Sequence, residues 1–247
     1  MSPGALATPT SALVVVAHPD DAEFQCGATL AKWASEGTTV HHLVLTDGSK
    51  GTWDPQVDQR SLVTRRQQEQ RAAALALGAT GEVMFLGRVD GELIADVPTR
   101  AEVAEVIRRL RPAVVLGHDP WKRYRLHPDH RAAGQLTVDG IVAARDPFFH
   151  PEQLAAGLAP HRPDALLLFE ADVVNHREPV DEAAIGAKLA ALERHESQME
   201  TTHFYRLGSG EDRAAALSGF RARERARLEV EDGSGPAEEF HLIVEQL

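Results

Sequence analysis

The sequence predicts an α/β fold built on a mostly parallel central sheet, and two patterns carry this prediction. The first is a short, continuously apolar and valine-rich run at residues 13–17, which is typical of a strand covered on both faces. The second is the alternation of such runs with segments of helical length, which indicates right-handed strand–helix–strand crossovers. A chain of 247 residues, of which 43% are hydrophobic, is long enough for one large α/β domain.

The same patterns place each element along the chain. Besides the run at 13–17, strands are expected at residues 39–45, 83–86, 114–116, 166–169 and 240–244. Helices are expected at residues 27–35, 60–77, 99–110, 129–144, 182–193 and 214–228. Gly37 and Gly78 follow two of these helices as C-terminal glycines, and Pro112 stops a third. We expect the proline-rich residues 147–163 to be irregular and residues 233–236 to form a turn.

Composition excludes several classes of protein. A net charge of −11 and an isoelectric point near 5.5 argue against a nucleic-acid partner. Cys26 stands alone, so an intrachain disulfide and a cysteine-rich zinc cluster are excluded, and a reducing cytoplasm is favoured. Residues 1–11 lack the basic and apolar regions of a secretory signal, and we expect them to be flexible. No run approaches the ~20 apolar residues of a membrane span. We therefore predict a cytoplasmic protein with a single domain over residues 1–247.

Two clusters of histidine and aspartate follow predicted strands, and together they predict a metal site. The first contains His18, Asp20 and Asp21 directly after the opening strand. The second contains His127, Asp129 and His130, and follows the fourth strand after a short basic and aromatic segment. A single His-Pro-Asp is often only a capped turn. Two such clusters at strand ends of a parallel sheet are better explained by chemistry, because ligands collect at that edge.

The residue types suggest a division of roles. His18 and Asp21, three residues apart, would bind a divalent metal such as zinc, with His130 as the third ligand. Such a metal lowers the pKa of its water and polarises a carbonyl oxygen. Asp20 would be left free as the general base. His127 would face the substrate and stabilise or protonate the intermediate, and Asp129 would fix the tautomer of one imidazole.

These motifs resemble those of the PIG-L/LmbE-like N-deacetylase family. Residues 17–24 with Cys26 and Gly27 resemble its first motif, and residues 127–130 resemble its second. Weaker similarities lie at residues 45–48, 85–87 and 195–198. The resemblance implies a Rossmann-like three-layer sandwich and a zinc-dependent hydrolase that deacetylates N-acetylglucosamine-type sugars or glycoconjugates.

The resemblance also implies roles for individual residues. It makes His18, Asp21 and His130 the metal ligands and Asp20 the general base. It makes His127 the group that meets the oxyanion and the leaving amine. The remaining roles are support of His127 by Asp129 and binding of the sugar by Arg66 and Asp90. Because related enzymes often assemble, a homo-oligomer is also expected.

Several alternatives stay open at the level of sequence. The amide could belong to a related thiol-sugar conjugate or to another amine, and the metal could be Fe²⁺. Two histidines and one carboxylate are also the ligands of iron(II) oxygenases, although those enzymes usually have all-β folds. A binding module without catalysis is a further alternative. A dinucleotide-binding enzyme has no support, because no G-x-G-x-x-G follows the first strand.

Overall fold

A seven-stranded, mostly parallel sheet forms the centre of the protein, in a computed structural model that describes residues 6–202, 210–230, 233–244 and 247. The strands lie in the order β3-β2-β1-β4-β5-β7-β6, and only β7 runs antiparallel to its neighbours. Their bounds are β1 Ser11–Val16, β2 Thr39–Thr46, β3 Val83–Arg88, β4 Val114–His118, β5 Ala165–Phe169, β6 His176–Pro179 and β7 Ala237–Ile243. This confirms the predicted fold class.

Helices cover both faces of the sheet. Their bounds are α1 Asp21–Ser35, α2 Gln59–Ala76, α3 Val97–Leu110, α4 Pro128–Arg145, α5 Pro151–Ala155, α6 Glu182–Leu192 and α7 Gly210–Ala226, with a 3₁₀ turn at Glu196–Gln198. The helices α1, α2 and α6 pack together on one face, and α3 packs on α4 on the other. Alternate residues of β1 serve the two cores, with Val14 facing the first and Val15 the second. This alternation produces the three layers.

The first helix begins six residues earlier than predicted and is broken at Cys26, where φ is −145°. The expected start at Gly27 is therefore the start of its second segment only. The backbone N–H groups of Ala28 and Thr29 donate to the Glu238 carboxylate, at 3.1 and 2.7 Å, which caps this second segment from β7. The first segment, which starts at Asp21, follows β1 almost directly and carries the predicted cluster.

Three further differences from the sequence-based prediction concern the second half of the chain and the N-terminus. A short helix, α5, lies within the segment expected to be irregular, and β6 was not predicted at all. Residues 1–5 lie outside the described residues, whereas Pro9 already accepts a hydrogen bond from Thr38 at 2.6 Å and Ser11 begins β1. Among the described helices, none is long and apolar enough to cross a membrane.

The strand order shows at which point of the sheet a ligand-binding crevice is expected. From β1 the chain proceeds outward to β2 and β3 on one side, then returns to β4 and proceeds outward to β5 on the other. The strand order therefore reverses between β1 and β4. A crevice opens at the carboxyl ends of strands at such a reversal, and ligands bind there in open α/β sheets.

Candidate active site

The two predicted clusters meet at this crevice. His18, Asp20 and Asp21 form the turn from β1 into α1. His127 is the N-cap of α4, and Asp129 and His130 lie in its first turn, so the second cluster is fixed to the start of a helix. About a hundred residues separate the two clusters in sequence, and the parallel pairing of β1 with β4 brings them together.

Three side chains present their donor atoms to one point. His18 Nδ1 lies 3.2 Å from His130 Nε2 and 3.5 Å from Asp21 Oδ2, and His130 Nε2 lies 3.3 Å from Asp21 Oδ1. Ligands of a tetrahedral zinc with bonds near 2.0–2.1 Å are separated by roughly 3.3–3.4 Å. His18 Nδ1 and His130 Nε2 are therefore separated as two zinc ligands would be, and the Asp21 carboxylate reaches each of them through a different oxygen. We call these three side chains the triangle, and their chemistry fits a divalent metal.

The second ring nitrogen of His18 is held by two carboxylates. His18 Nε2 lies 3.0 Å from Asp129 Oδ2 and 3.2 Å from Asp90 Oδ1. The Asp129 carboxylate is itself fixed by the backbone N–H groups of Gly91 and Leu93, at 2.6 and 3.1 Å. A proton on Nε2 leaves the lone pair of Nδ1 facing the other two side chains. Metal-bound histidines usually have their second ring N–H held by a carboxylate in this way.

These contacts place the carboxylates of Asp129 and Asp90 at His18. Asp129 was expected to fix the tautomer of one imidazole, and its carboxylate contacts that of His18; its support of His127 stays a prediction. Only the backbone N–H of Asp129 reaches His127, at 3.3 Å from Nδ1. Asp90, expected to bind the sugar, contacts His18 and accepts the backbone N–H of Lys50 at 3.0 Å. It is buried in the wall of the site.

Negative charge is in excess around the triangle. Burial alone would lower the pKa of His18, but hydrogen bonds with Asp129, Asp21 and Asp90 raise it well above its ordinary value. For Asp21, burial is outweighed by His130 and His118, and its pKa is well below the usual range. His118, at the end of β4, holds Asp21 Oδ2 at 3.3 Å through Nε2. Such a cluster of buried carboxylates attracts a cation, because isolated charges away from water are costly.

Asp20 differs from its neighbours in having a free oxygen. Within the described chain, Asp20 Oδ2 has no hydrogen-bond partner, and the closest charged group is Arg66, whose guanidinium nitrogen lies 3.5 Å away. Burial raises the pKa of Asp20 to about 6, even though Arg66 and His195 lower it. Its backbone is left-handed, with φ +96°. A carboxylate with a free lone pair and a pKa near neutrality is suited to proton transfer.

Arg66 lies beneath Asp20 and has little surface exposed. Its side chain is 3% accessible, and its guanidinium donates to the carbonyl oxygens of Pro19 at 2.7 Å and Gly48 at 2.9 Å. The sequence predicted that Arg66 binds the sugar. Its observed contacts are with the turn that carries Asp20, and sugar binding by Arg66 stays a prediction.

His127 is exposed and has a defined tautomer. Its Nδ1 accepts the backbone N–H of Asp129, so the proton of a neutral ring resides on Nε2. Burial, followed by the neighbouring His18 and His130, lowers its pKa. A neutral ring can therefore donate a hydrogen bond from Nε2, and the protonated His127 that the expectation allowed stays a prediction.

Some residues of the site were not predicted from sequence. His118 was not among the predicted site residues, although its place at the end of β4 is the same signal that identified the first cluster. Gln70 is buried and carries no local signal, because a glutamine in the middle of a helix resembles any surface residue. His195 is also buried and lies in the segment 195–198 that resembles the family, but no role was assigned to it.

Comparison with known proteins agrees with this geometry. A family profile described as GlcNAc-PI de-N-acetylase, PIG-L, matches residues 13–141. The diacetylchitobiose deacetylase of Thermococcus kodakarensis is 38% identical over 186 residues, which cover 75% of this chain and 69% of that protein. The chain belongs to the PIG-L family. PIG-L deacetylases are metal dependent. The three side chains of the triangle belong to overlapping groups that could hold a metal ion: His18 with His127 and His130, Asp21 with His118 and His130, and His18 with Asp90 and Asp129.

Other relatives show the breadth of the PIG-L family. The 1D-myo-inositol 2-acetamido-2-deoxy-alpha-D-glucopyranoside deacetylase of Thermomonospora curvata is 34% identical over 161 residues, and the match spans about half of each protein, 55% and 53%. A 4-oxalmesaconate hydratase of Pseudomonas putida is 30% identical over 165 residues, which cover 62% of each chain.

A solved structure shares the fold over nearly the whole chain. The N,N'-diacetylchitobiose deacetylase of Pyrococcus horikoshii superposes with a TM-score of 0.82 and 25% identity, covering 96% of this chain and 84% of that one. The agreement includes the second half of the chain, which lies beyond the family profile.

Proposed function

We propose that this protein is a zinc-dependent N-deacetylase that hydrolyses the acetamide of an N-acetylated amino sugar or glycoconjugate of the N-acetylglucosamine type. One observation carries the proposal: three candidate metal ligands meet at the end of β1, and Asp20, which lies between two of them in the chain, has a carboxylate oxygen without a hydrogen-bond partner. The similarity to PIG-L deacetylases supports the choice of an amide as the bond that is broken.

Each residue has a task in this reaction. His18, Asp21 and His130 would hold the metal, which supplies Lewis acidity toward the attacking water and the amide carbonyl when it is bound. Asp20 accepts a proton from the water as it attacks the carbonyl carbon. His127 donates a hydrogen bond from Nε2 to the carbonyl oxygen, where negative charge develops. Asp20 then returns the proton to the amine nitrogen as the carbon–nitrogen bond breaks.

We propose that the sugar extends into an open cavity along the loop after β2. This cavity has a volume of about 640 Å³ and is lined by loop residues between Ser49 and Gln59, most of them polar, together with the exposed Trp53; the triangle, Asp20 and His127 are not part of its lining. Lys50, in the wall of this cavity, is bonded through its backbone to Asp90, which contacts His18. A polar cavity with one exposed indole suits a sugar, because the ring faces stack on the aromatic and the hydroxyls hydrogen-bond.

The identity of the metal is part of the proposal. Two nitrogens and one carboxylate suit zinc, and the same donors also bind Fe²⁺.

We also propose a cytoplasmic location, which the buried free thiol of Cys26 supports. No nucleic acid is expected as partner, given the charge of −11. Assembly into a homo-oligomer stays a prediction that sedimentation can test.

A screen for released amine tests the proposal. The metal-loaded protein is incubated with N-acetylglucosamine, its disaccharide and its inositol conjugate, and free amine is measured. We expect turnover of at least one glycoside, loss of turnover with a chelator, and recovery on addition of Zn²⁺ or Fe²⁺.

The screen also separates the alternatives. Hydration of an unsaturated dicarboxylic acid without any amide hydrolysis would favour the reaction of the hydratase relative. Inactivity toward every amide, with sugar binding retained, would favour a binding module. Consumption of oxygen with an oxoacid co-substrate would favour an iron(II) oxygenase. Each of these results would contradict the proposed deacetylase.

A further inference from the structure

The peptide group between Pro19 and Asp20 is held at both ends by one face of α2. Arg66 donates to the Pro19 carbonyl at 2.7 Å, and Gln70 Oε1 accepts the Asp20 N–H at 2.9 Å. These two side chains are four residues apart, so they project from the same face of the helix. The orientation of this peptide plane, from which the Asp20 side chain departs, is therefore set by α2.

Asp20 needs such support because its backbone is left-handed. A φ of +96° is a conformation that residues with a Cβ rarely adopt, and it persists only when the surroundings impose it. The Asp20 carbonyl accepts the N–H of Phe24 at 3.1 Å as α1 begins. Both peptide groups that flank Asp20 are thus fixed, and its free carboxylate oxygen is aimed by the backbone.

Gln70 can accept the Asp20 N–H only if its amide oxygen, and not its NH₂ group, faces Asp20. Its Nε2 donates to Glu23 Oε1 at 2.7 Å, and Glu23 Oε2 lies 3.3 Å from His195 Nε2. Glu23, Gln70 and His195 are all fully buried. The ionised carboxylate accepts only, so it holds the NH₂ of Gln70 and turns the oxygen toward Asp20. Donors and acceptors then alternate without conflict from His195 to Asp20.

We propose that Gln70, Glu23 and His195 are positioning residues that aim Asp20 for proton transfer. The inference rests on the proposed function, since it assigns a purpose to residues behind its general base. It also connects the segment at residues 195–198, which lies far along the chain, to the reaction. None of the three is a proposed metal ligand, and Gln70 is the one that contacts Asp20, through its backbone N–H.

The first test replaces Gln70 by leucine. We expect kcat to fall on the order of a hundredfold, because small displacements of a reacting group have effects of this size, while KM and metal content stay unchanged. Gln68→Leu, an exposed glutamine on the same helix, is the matched control and keeps its kcat. Thermal unfolding of each variant gives the fraction that is folded and metal-loaded, and kcat is calculated per molecule of that fraction. An unchanged kcat for Gln70→Leu overturns the proposal, as does a loss that only follows metal content.

The second test exchanges the two partners. Gln70→Glu alone places two carboxylates together and should be slow. Gln70→Glu combined with Glu23→Gln restores every hydrogen bond of the series, since the new amide can donate to the new carboxylate and accept from His195. We expect the double variant to recover most of the lost kcat. A double variant as slow as Gln70→Glu contradicts the proposal that this series of hydrogen bonds positions Asp20.

A third measurement is independent of any activity. Hydrogen exchange of the Asp20 backbone N–H should be roughly tenfold faster in Gln70→Leu than in Gln68→Leu, since one hydrogen bond is lost. Equal exchange rates overturn the proposal. An inactive wild type would contradict the proposed deacetylase, whereas an active wild type with an unaffected Gln70→Leu contradicts only the positioning role.

Discussion

Two buried polar clusters in this protein differ in their balance of charge. The site cluster, at the crevice, gathers four carboxylates around a single buried guanidinium, that of Arg66; its carboxylates are Asp20, Asp21, Asp90 and Asp129. The sheet-edge cluster, where β6 pairs with β7, contains two carboxylates and two lysines; its members are Lys32, Glu178, Lys188 and Glu238.

In the sheet-edge cluster each charge has its own partner. Glu178 and Glu238 are directly opposite on the two strands, a pairing of like charges that is unfavourable by itself. Lys32 lies 2.8 Å from Glu178, and Lys188 lies 2.6 Å from Glu238. Lysines from α1 and α6 therefore neutralise the strand carboxylates one by one.

The difference distinguishes a functional cluster from a structural one. Burial of charge is common to both, so burial by itself does not indicate a site. The site cluster has unbalanced negative charge, a left-handed aspartate and a carboxylate oxygen without a partner, which cost stability. Changes in the first cluster should therefore affect catalysis, and changes in the second should affect folding.

The largest expected effect is the loss of a metal donor. His130→Ala removes one corner of the triangle, and we expect bound metal to be lost and turnover to fall at least a thousandfold, on the order of the contribution of a catalytic metal. Metal analysis and kinetics on the same sample measure both. The unfolding temperature without metal should be close to that of the wild type without metal. Full activity with no bound metal would contradict the assignment of the triangle.

Lys188→Met should instead destabilise the protein. It leaves the Glu238 carboxylate buried without its cation, which costs about 3–5 kcal/mol. The control is Arg109→Met, which removes an exposed partner of Glu82 and should cost less than about 1 kcal/mol. Denaturant unfolding measures both. Turnover per folded molecule should be unchanged in Lys188→Met, and a specific loss of kcat would remove the distinction between the clusters.

Asp129→Asn tests the support of His18. Because the Asp129 carboxylate orients this imidazole, its loss should weaken metal affinity about 10–100-fold. Competition with a chelator of known affinity measures the change. Asp139→Asn, on the same helix, is the control. Unchanged metal affinity together with a changed orientation of His127 would instead support the role first expected for Asp129, the support of His127.

The smallest effect concerns the pH dependence of stability. Burial would raise the pKa of Glu178, but hydrogen bonds from His176 and Lys32 lower it below its usual 4.5. The stability that Glu178 contributes is therefore fully present above about pH 4.5–5 and is lost as pH falls through the lowered pKa. In Glu178→Gln the free energy of unfolding should decline less steeply below pH 4.5. An identical slope in both proteins would show that Glu178 is not held as an ion in the folded state.

Local sequence patterns predicted most strands and helices of the fold and the three members of the triangle. Val14 and its neighbours form the buried central strand, and the rule that chemistry collects at strand ends brought His18 and His130 together. The start of α1 was missed because residues 21–26 alternate polar and apolar side chains and show no helical period, and the second segment of α1 is capped by Glu238, about 210 residues away in sequence. The strand β6 was missed because His176–Pro179 has no apolar run and depends on pairing with β7.

The partners of individual side chains were harder to predict. The resemblance assigned Asp129 to its neighbour His127 and Arg66 to the sugar, and the sequence does not show which side chains meet in the fold. In the folded protein both face the turn that follows β1. Gln70 gained its role from the packing of α2 on that turn, which no local pattern encodes.

Asp20→Asn tests the central claim most directly. The variant keeps the shape of the side chain but cannot accept a proton as a carboxylate does. With metal bound and amide hydrolysis followed by amine release, we predict that kcat falls on the order of 10²–10⁴-fold. Metal content should be unchanged, and the unfolding temperature should be equal or higher because a buried charge is removed. Hydrolysis at the wild-type rate by a metal-loaded Asp20→Asn protein would contradict the role of Asp20 as the general base.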